Sequence, residues 1–347
     1  MPDFTSALYL GFGHPSAALR PWARLTTGAP AALTPPPGST AVGRALAALV
    51  GCERAALAPS TLHVALDLYS LLAGPEDVIY LDGEAYPIAR WGVELAAARG
   101  VLARSFPHYD ASMLRRLVER DARRPLVVVD GICPDCGRSA PLRAYVDVVA
   151  PRGGRIVVDD TQALGILGSD PGPAAPYGRG GGGSLRLHGL RSRSVVVLAS
   201  LAKAFGVPVA VVAGPSDMVA RYEAEAETRF HCSPPSVAAL RAAEHALALN
   251  ELRGDALRRR LAALVGRFRG GLAALGLRAE GARFPVQTIQ ADLHASLLEH
   301  GVRTIRRSGG VTFLITAAHC PADVDVALRA LDVATRRGAG RRRRRIP

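Results

Sequence analysis

VVVLASLAKAFG, at Val195–Gly206, begins as a buried strand and ends with a lysine among small residues. Lys203 is the only lysine in a chain rich in arginine. A protein selects an amine over a guanidinium when the group must lose its proton and attack a carbonyl, because arginine stays protonated. A surface lysine at the end of a strand is the alternative interpretation of this stretch alone.

A second strand with a polar end favours the catalytic interpretation. Gly154–Gly165 reads as an apolar strand that ends in Asp159 and Asp160. Ligands of open α/β sheets bind at the carboxyl ends of strands. Pyridoxal phosphate requires an amine that holds its aldehyde as a Schiff base, and a carboxylate that keeps its ring nitrogen protonated. Lys203 and Asp159 therefore predict a pyridoxal 5'-phosphate site, although two acids in a surface turn would look the same.

Composition limits the class of protein. The 347 residues are 49% hydrophobic and predict two domains. We find no signal peptide pattern and no apolar run that spans a bilayer, and we expect a soluble, cytoplasmic protein without a membrane role. Five cysteines over this length do not form a disulfide framework. Five of the +13 formal charges lie in the run Arg341–Arg345, and aromatics are 5%, so we expect no nucleic-acid partner.

Apolar strands alternate with amphipathic helices from about residue 52 to 215, which predicts an α/β fold with a mostly parallel sheet. We expect an N-terminal arm and loop at 1–40, a large domain at 41–245, a small α+β domain at 246–336 and a basic, disordered tail at 337–347. The predicted strands are Val78–Leu81, Leu126–Val129, Arg155–Val158, Val195–Leu198, Val209–Ala213, Val302–Ile305 and Val311–Ile315. The predicted helices include Ser236–Leu275, Ala291–His300 and Pro321–Thr335.

Several segments, in order along the chain, resemble those of fold-type I pyridoxal-phosphate enzymes, specifically the α-oxoamine synthases of the class II aminotransferase superfamily. They are Tyr9–Pro15, Asp130-Gly131 with Ala140-Pro141-Leu142, Gly178-Arg179-Gly180, Ser200–Gly206 and Thr316–His319. The resemblance covers Tyr9 to about Leu331. It implies a seven-stranded-type sheet, a homodimer, and decarboxylative condensation of a small amino acid with an acyl thioester, supplied as acyl-CoA or on an acyl carrier protein. An aminotransferase, decarboxylase or aldolase that forms the same α-carbanion remains the alternative.

The resemblance also implies residue roles. Lys203 would hold the cofactor aldehyde and later move protons at the substrate α-carbon, while Asp159 would pair with the ring nitrogen. The phosphate would be bound by Ser200, by the turn Ser60-Thr61-Leu62 at a helix N-terminus and by Ser233 from the partner subunit. Arg306 would bind the substrate carboxylate, and His63 would touch substrate.

Two residues depart from the family pattern. Tyr86 stands where the family stacks a histidine on the cofactor ring, and Gln162 stands where it has a histidine that contacts the phenolic oxygen. Tyrosine can stack, and a glutamine amide can donate that hydrogen bond. Both changes are compatible with cofactor binding, but they leave open which reaction the enzyme catalyses. Cys133-Pro134-Asp135-Cys136 has the spacing of a metal or redox pair, but no second pair follows, so the sequence predicts no metal.

Overall fold

The computed structural model of the protein describes residues 1–343, and the end of the predicted tail, 344–347, lies outside the described residues. The first 38 residues form an arm with one short 3₁₀ turn, Ser16–Ala18. Asp3 forms a parallel β-bridge with Arg303, and the Phe4 side chain is fully buried. The arm is therefore attached to the C-terminal part of the chain.

A seven-stranded sheet forms the larger part of the molecule, with the order β1-β7-β6-β5-β4-β2-β3. Its strands are β1 (Arg54–Ala58), β2 (Asp77–Asp82), β3 (Leu102–Phe106), β4 (Arg124–Asp130), β5 (Arg155–Asp159), β6 (Val195–Ser200) and β7 (Ala210–Gly214). Only β7 runs against its neighbours among these strands. The predicted mostly parallel α/β fold is therefore confirmed.

The central strands are apolar between their end residues because helices cover both faces of the sheet. Along β2, Val78 and Tyr80 belong to one core, whereas Ile79 and Leu81 belong to the other. The covering helices are α1 (Ser39–Val50), α2 (Thr61–Leu72), α3 (Pro87–Ala98), α4 (Ala111–Glu119), α5 (Leu142–Val149), α6 (Ser184–Leu187), α7 (Ser216–Glu225), α8 (Glu227–His231) and α9 (Val237–Leu249).

A π-helical turn, Asn250–Gly254, joins α9 to α10 (Asp255–Ala274), in the region predicted as one long helix. A three-stranded antiparallel sheet follows, with the order β8-β10-β9. Its strands are β8 (Val286–Ile289), β9 (Ile305–Arg307) and β10 (Gly310–Leu314), and its helices are α11 (His294–Glu299) and α12 (Pro321–Arg343). Helix α12 thus includes the first part of the stretch predicted as a tail.

The strand predicted at Val302–Ile305 was placed too early. The structure has β9 at Ile305–Arg307, because a two-residue turn pairs Arg307 with Gly310. The strand therefore includes two exposed arginines that an apolar pattern does not select. Among the described residues, no helix combines the length and the apolar character that crossing a bilayer requires.

Candidate functional site

The site forms at the carboxyl ends of two neighbouring strands. Strand β5 ends at Asp159, which pairs with Leu198 of β6, and Lys203 follows β6 by one tight turn. That turn is held because the Ser200 N–H donates to Thr161 Oγ1 at 2.9 Å and the Leu201 N–H donates to the Val209 carbonyl at 2.8 Å. Parallel pairing thus brings the lysine and the carboxylate to one edge of the sheet.

Lys203 and Asp159 line a single cavity. Its other lining residues come from α2, α3, and the ends of β4, β5 and β6; they are Thr61, Tyr86, Ile88, Asp130, Pro134, Thr161, Gln162, Ser200 and Ala202. A wider cleft elsewhere runs along α1 and β1, but its lining contains no lysine, so it does not offer a neutralisable amine.

Burial controls the charges in the cavity. It raises the pKa of Asp159, although hydrogen bonding from Thr161 and the charge of Lys203 oppose this. Burial and the neighbouring Asp159 charge raise the pKa of Asp130 well above its usual range. Burial also lowers the pKa of Lys203 against the attraction of both carboxylates. Desolvation therefore favours a neutral amine. A cationic ligand in the cavity would be attracted by the charged forms of the two carboxyl groups and would stabilise those forms.

Gln162 is oriented by the N-terminal arm. The Tyr9 hydroxyl donates to Gln162 Oε1 at 2.8 Å, and the Tyr9 side chain is 1% exposed. Burial raises the pKa of Tyr9, so the hydroxyl keeps its proton. With the amide oxygen occupied in this way, the Gln162 NH₂ group is the end that is available to donate to a ligand.

The turn Ser60-Thr61-Leu62 forms the start of α2. Ser60 is the N-cap, and its Oγ accepts from the His63 N–H and lies 2.7 Å from His63 Nδ1. The N–H groups of the first helical turn have no partner within the helix, and the helix dipole favours an anion there. Thr61 lines the cavity, so this N-terminus opens onto it.

Tyr86 is the N-cap residue of α3 and its side chain is 49% exposed. Its backbone N–H donates to Asp130 Oδ2 at 3.2 Å. The other carboxylate oxygen, Asp130 Oδ1, is buried and has no hydrogen-bond partner among the described residues. A buried oxygen without a hydrogen bond lowers the stability of the fold unless a ligand in the cavity donates a hydrogen bond to it.

The cavity thus brings together Lys203, Asp159, Gln162, Tyr86, Ser200 and Thr61 of the predicted residues. Ser60, Leu62 and His63 lie on the adjoining helix start, outside the lining. Two predicted residues do not line the cavity of this chain. Ser233 is exposed between α8 and α9, and Arg306 is exposed on β9.

Sequence reasoning did not select Asp130, Thr161 or Tyr9 as site residues. Asp130 had a visible pattern, because it ends an apolar strand as Asp159 does. Thr161 follows the paired acids directly. Tyr9 had no such pattern, since its contact with Gln162 spans 153 residues.

Comparisons with known proteins agree with this geometry. The model of the family described as aminotransferase class I and II matches residues 8–331. The 8-amino-7-oxononanoate synthase of Alkalilimnicola ehrlichii is 34% identical over 313 residues, which cover 85% of this chain and 76% of the relative. The enzyme of the same name from Alcanivorax borkumensis is 31% identical over 304 residues, covering 83% and 75%.

Solved structures share the fold. Serine palmitoyltransferase from Sphingomonas wittichii superposes with a TM-score of 0.83 at 21% identity, covering 95% of this chain and 86% of that one. The 8-amino-7-oxononanoate synthase from Francisella tularensis superposes with a TM-score of 0.75 at 19% identity, covering 98% and 99%. The predicted fold type is confirmed. The chain belongs to the aminotransferase class I and II family, and its relatives confirm the predicted resemblance to the α-oxoamine synthases.

Proposed function

We propose that this chain is a pyridoxal-phosphate-dependent acyltransferase. It joins a small α-amino acid to an acyl thioester, releases CO₂ and the free thiol, and leaves an α-amino ketone. The observation that supports this most directly is the single cavity shared by Lys203 and Asp159. The proposal is also supported by the match to two 8-amino-7-oxononanoate synthases, of which this chain spans 75% and 76%.

The residues around the cavity fit pyridoxal 5'-phosphate. Asp159 and Asp130 are buried carboxyl groups with raised pKa values, and a protonated ring nitrogen beside them would restore their charged forms. The Asp130 oxygen that has no partner within residues 1–343 supplies a further acceptor. When bound, the cofactor supplies an electron sink for the bonds at the substrate α-carbon.

Lys203 would hold the cofactor and move a proton at the α-carbon. Burial lowers its pKa, so a larger fraction of the amine is neutral near pH 7 than for a solvated lysine. A base with a pKa closer to the working pH takes and returns protons more effectively. No other lysine in the chain can replace it.

The remaining cofactor contacts follow from the lining. Tyr86 would stack on the ring, and the Gln162 amide would donate to the phenolic oxygen. Ser200, together with Ser60, Thr61 and Leu62 at the α2 N-terminus, would bind the phosphate. In a homodimer, Ser233 of one protomer would reach the phosphate held by its partner.

For the substrate, we assign the carboxylate to Arg306 and a further contact to His63. A guanidinium binds a carboxylate through two parallel hydrogen bonds, which fixes the orientation of the α-carbon. Arg306 is exposed on β9 and lies outside the cavity lining.

Transamination is the second candidate, and Tyr86 is the observation that favours it. The Gln162 amide would donate to the ring oxygen as an imidazole would, but Tyr86 would supply no imidazolium charge for the condensation. The two reactions share the same cavity and the same first deprotonation, so geometry alone supports both.

The test uses the holoenzyme with a panel of small α-amino acids, with and without acyl-CoA or acyl carrier protein. Condensation predicts thiol, CO₂ and amino ketone in equal amounts, and only when both substrates are present. Formation of pyridoxamine phosphate from amino acid alone, without thiol release, would replace acyl transfer by transamination. The Lys203→Ala variant is the control for background hydrolysis of the thioester.

A further inference from the structure

A second cluster of reactive side chains lies beside the cavity. His108, Cys133 and Cys136 each offer one ligand atom, and these three atoms lie within 4.8 Å of one another. His108 Nε2 is 3.5 Å from Cys136 Sγ. His108 comes from the loop after β3, whereas both cysteines belong to the loop after β4. The histidine is the ligand that the sequence pattern of the cysteine pair did not reveal.

The backbone around the two cysteines forms a tight turn. The Cys136 N–H donates to Cys133 Sγ at 3.4 Å, and the Gly137 N–H donates to the Cys133 carbonyl at 2.8 Å. Gly137 has φ +69°, and a Cβ there would lie 2.0 Å from the Gly281 carbonyl oxygen. Glycine is thus required at this position. The turn folds the chain back and keeps the two sulfurs within 4.8 Å of each other.

Asp82 holds the histidine in place. Its carboxylate is 1% exposed, and Oδ1 lies 2.7 Å from His108 Nδ1, so an N–H there donates to it. The Tyr109 N–H donates to the other oxygen at 2.9 Å. This arrangement fixes the tautomer in which Nε2 has a free lone pair. Histidines that bind metals are commonly held by a carboxylate in this way.

We propose that His108, Cys133 and Cys136 bind one Zn²⁺ ion, with a water molecule as the fourth ligand. Two thiolates and an imidazole form a ligand set that zinc prefers. Ligand atoms on a tetrahedral zinc lie roughly 3.3–3.8 Å apart, as the Zn–S and Zn–N bond lengths require. The 3.5 Å between Nε2 and Cys136 Sγ already meets this. The other separations are at most 4.8 Å, so they need no more than about 1 Å of closure.

The position of the cluster suggests what the cation does. Pro134, between the two cysteines, lines the cofactor cavity. Asp135 forms an ion pair with Arg307 of β9. A bound cation would fix the loop that forms one wall of the cavity and contacts the three-stranded sheet. We therefore assign it a positioning role, not a catalytic one.

The experiment measures zinc in holoenzyme purified without chelators from zinc-supplemented culture. We expect about one ion per chain, and at least about a ten-fold lower content in His108→Ala and in Cys136→Ser. Cys320→Ser is the matched control, because Cys320 is exposed and lies outside the cluster. Asp82→Asn should weaken zinc affinity by about 10–100-fold in a chelator competition. Replacement by Co²⁺ in the unaltered protein should produce thiolate-to-metal charge-transfer absorption.

Three results would overturn the proposal: wild-type protein with under about a tenth of an ion per chain, equal zinc in the cluster variants and the Cys320→Ser control, or a Cys133–Cys136 disulfide in protein purified without added oxidant. None of these readouts depends on enzyme activity. Failure of the zinc proposal therefore leaves the acyltransferase proposal intact.

Discussion

Replacing Tyr9 by phenylalanine tests whether the N-terminal arm orients the cofactor site. The substitution removes one hydroxyl and keeps the ring packed in the core. The lost hydrogen bond to Gln162 is 2.8 Å long, and the Tyr9 side chain is 1% exposed. The Gln162 amide would lose its fixed orientation, and with it the alignment of its NH₂ group toward the cofactor.

The size of the effect follows from burial. Losing one partner of a buried neutral hydrogen bond costs about 1–3 kcal/mol, and the lower half applies because Gln162 is only half-buried. Unfolding entropy scales to about 0.7 kcal/mol per degree for 347 residues, so a loss of ~1.5 kcal/mol lowers Tm by about 2 °C. Cofactor affinity should fall about 3–10-fold, which corresponds to ~0.7–1.4 kcal/mol.

The assay combines calorimetry of the apoprotein with cofactor titration followed by absorbance. Tyr145→Phe is the matched control, since its hydroxyl is also buried but has no hydrogen-bond partner among the described residues. Tyr145→Phe should leave both Tm and cofactor affinity unchanged or slightly raised. Equal effects of the two substitutions would refute the idea that the Tyr9 hydroxyl positions Gln162.

The remaining predictions concern three ionisable groups. Lys203→Arg should lose at least about a thousand-fold in turnover, because a guanidinium cannot release its proton; steady-state kinetics beside Lys203→Ala measures this. Burial raises the pKa of Asp160 to about 6 from the model-peptide value of 3.8, so across that window the folded chain keeps a proton that the unfolded chain has lost. The free energy of unfolding of the protein should therefore fall by roughly 3 kcal/mol, relative to that of Asp160→Asn, as the pH rises between these two pKa values. Urea titrations over this pH range measure the difference, and the same pH dependence in both proteins would contradict the prediction. Arg306→Met should raise KM for the amino acid about 10–100-fold with little change in kcat, whereas Arg307→Met should not.

The sequence predicted the central strands of the large sheet and missed its two edges. Strands β2, β4, β5 and β6 are continuous apolar runs, since helices cover them on both sides. Strand β1 has the sequence RAALA and β3 has LARSF, each with small, polar or exposed residues, and they lie at opposite edges. An edge strand pairs with one neighbouring strand only, and the local composition of its sequence does not reveal which strand that is.

The site shows the same division. Lys203 and Asp159 were predictable because Asp159 ends one apolar strand and Lys203 closely follows another. The contacts that orient the site join distant segments, as Tyr9 with Gln162 and His108 with Cys136 do. Nothing in a local pattern indicates such pairs, so the sequence around the two cysteines does not reveal that His108 lies near them, in the loop after β3.

Three neighbouring strands explain why both sites lie at one edge of the sheet. Strands β2, β4 and β5 are adjacent and parallel, and they end in Asp82, Asp130 and Asp159. The three residues are 1%, 8% and 8% exposed, and each buried carboxyl group requires a donor or a positive charge. Asp82 has the imidazole of His108, and Asp159 has a backbone N–H of Thr161. Asp130 lies between them, and one of its oxygens has no partner in the part of the chain that the structure describes. A cation in the cysteine–histidine cluster and a protonated ring in the cavity would therefore neutralise the two ends of one row of buried carboxylates.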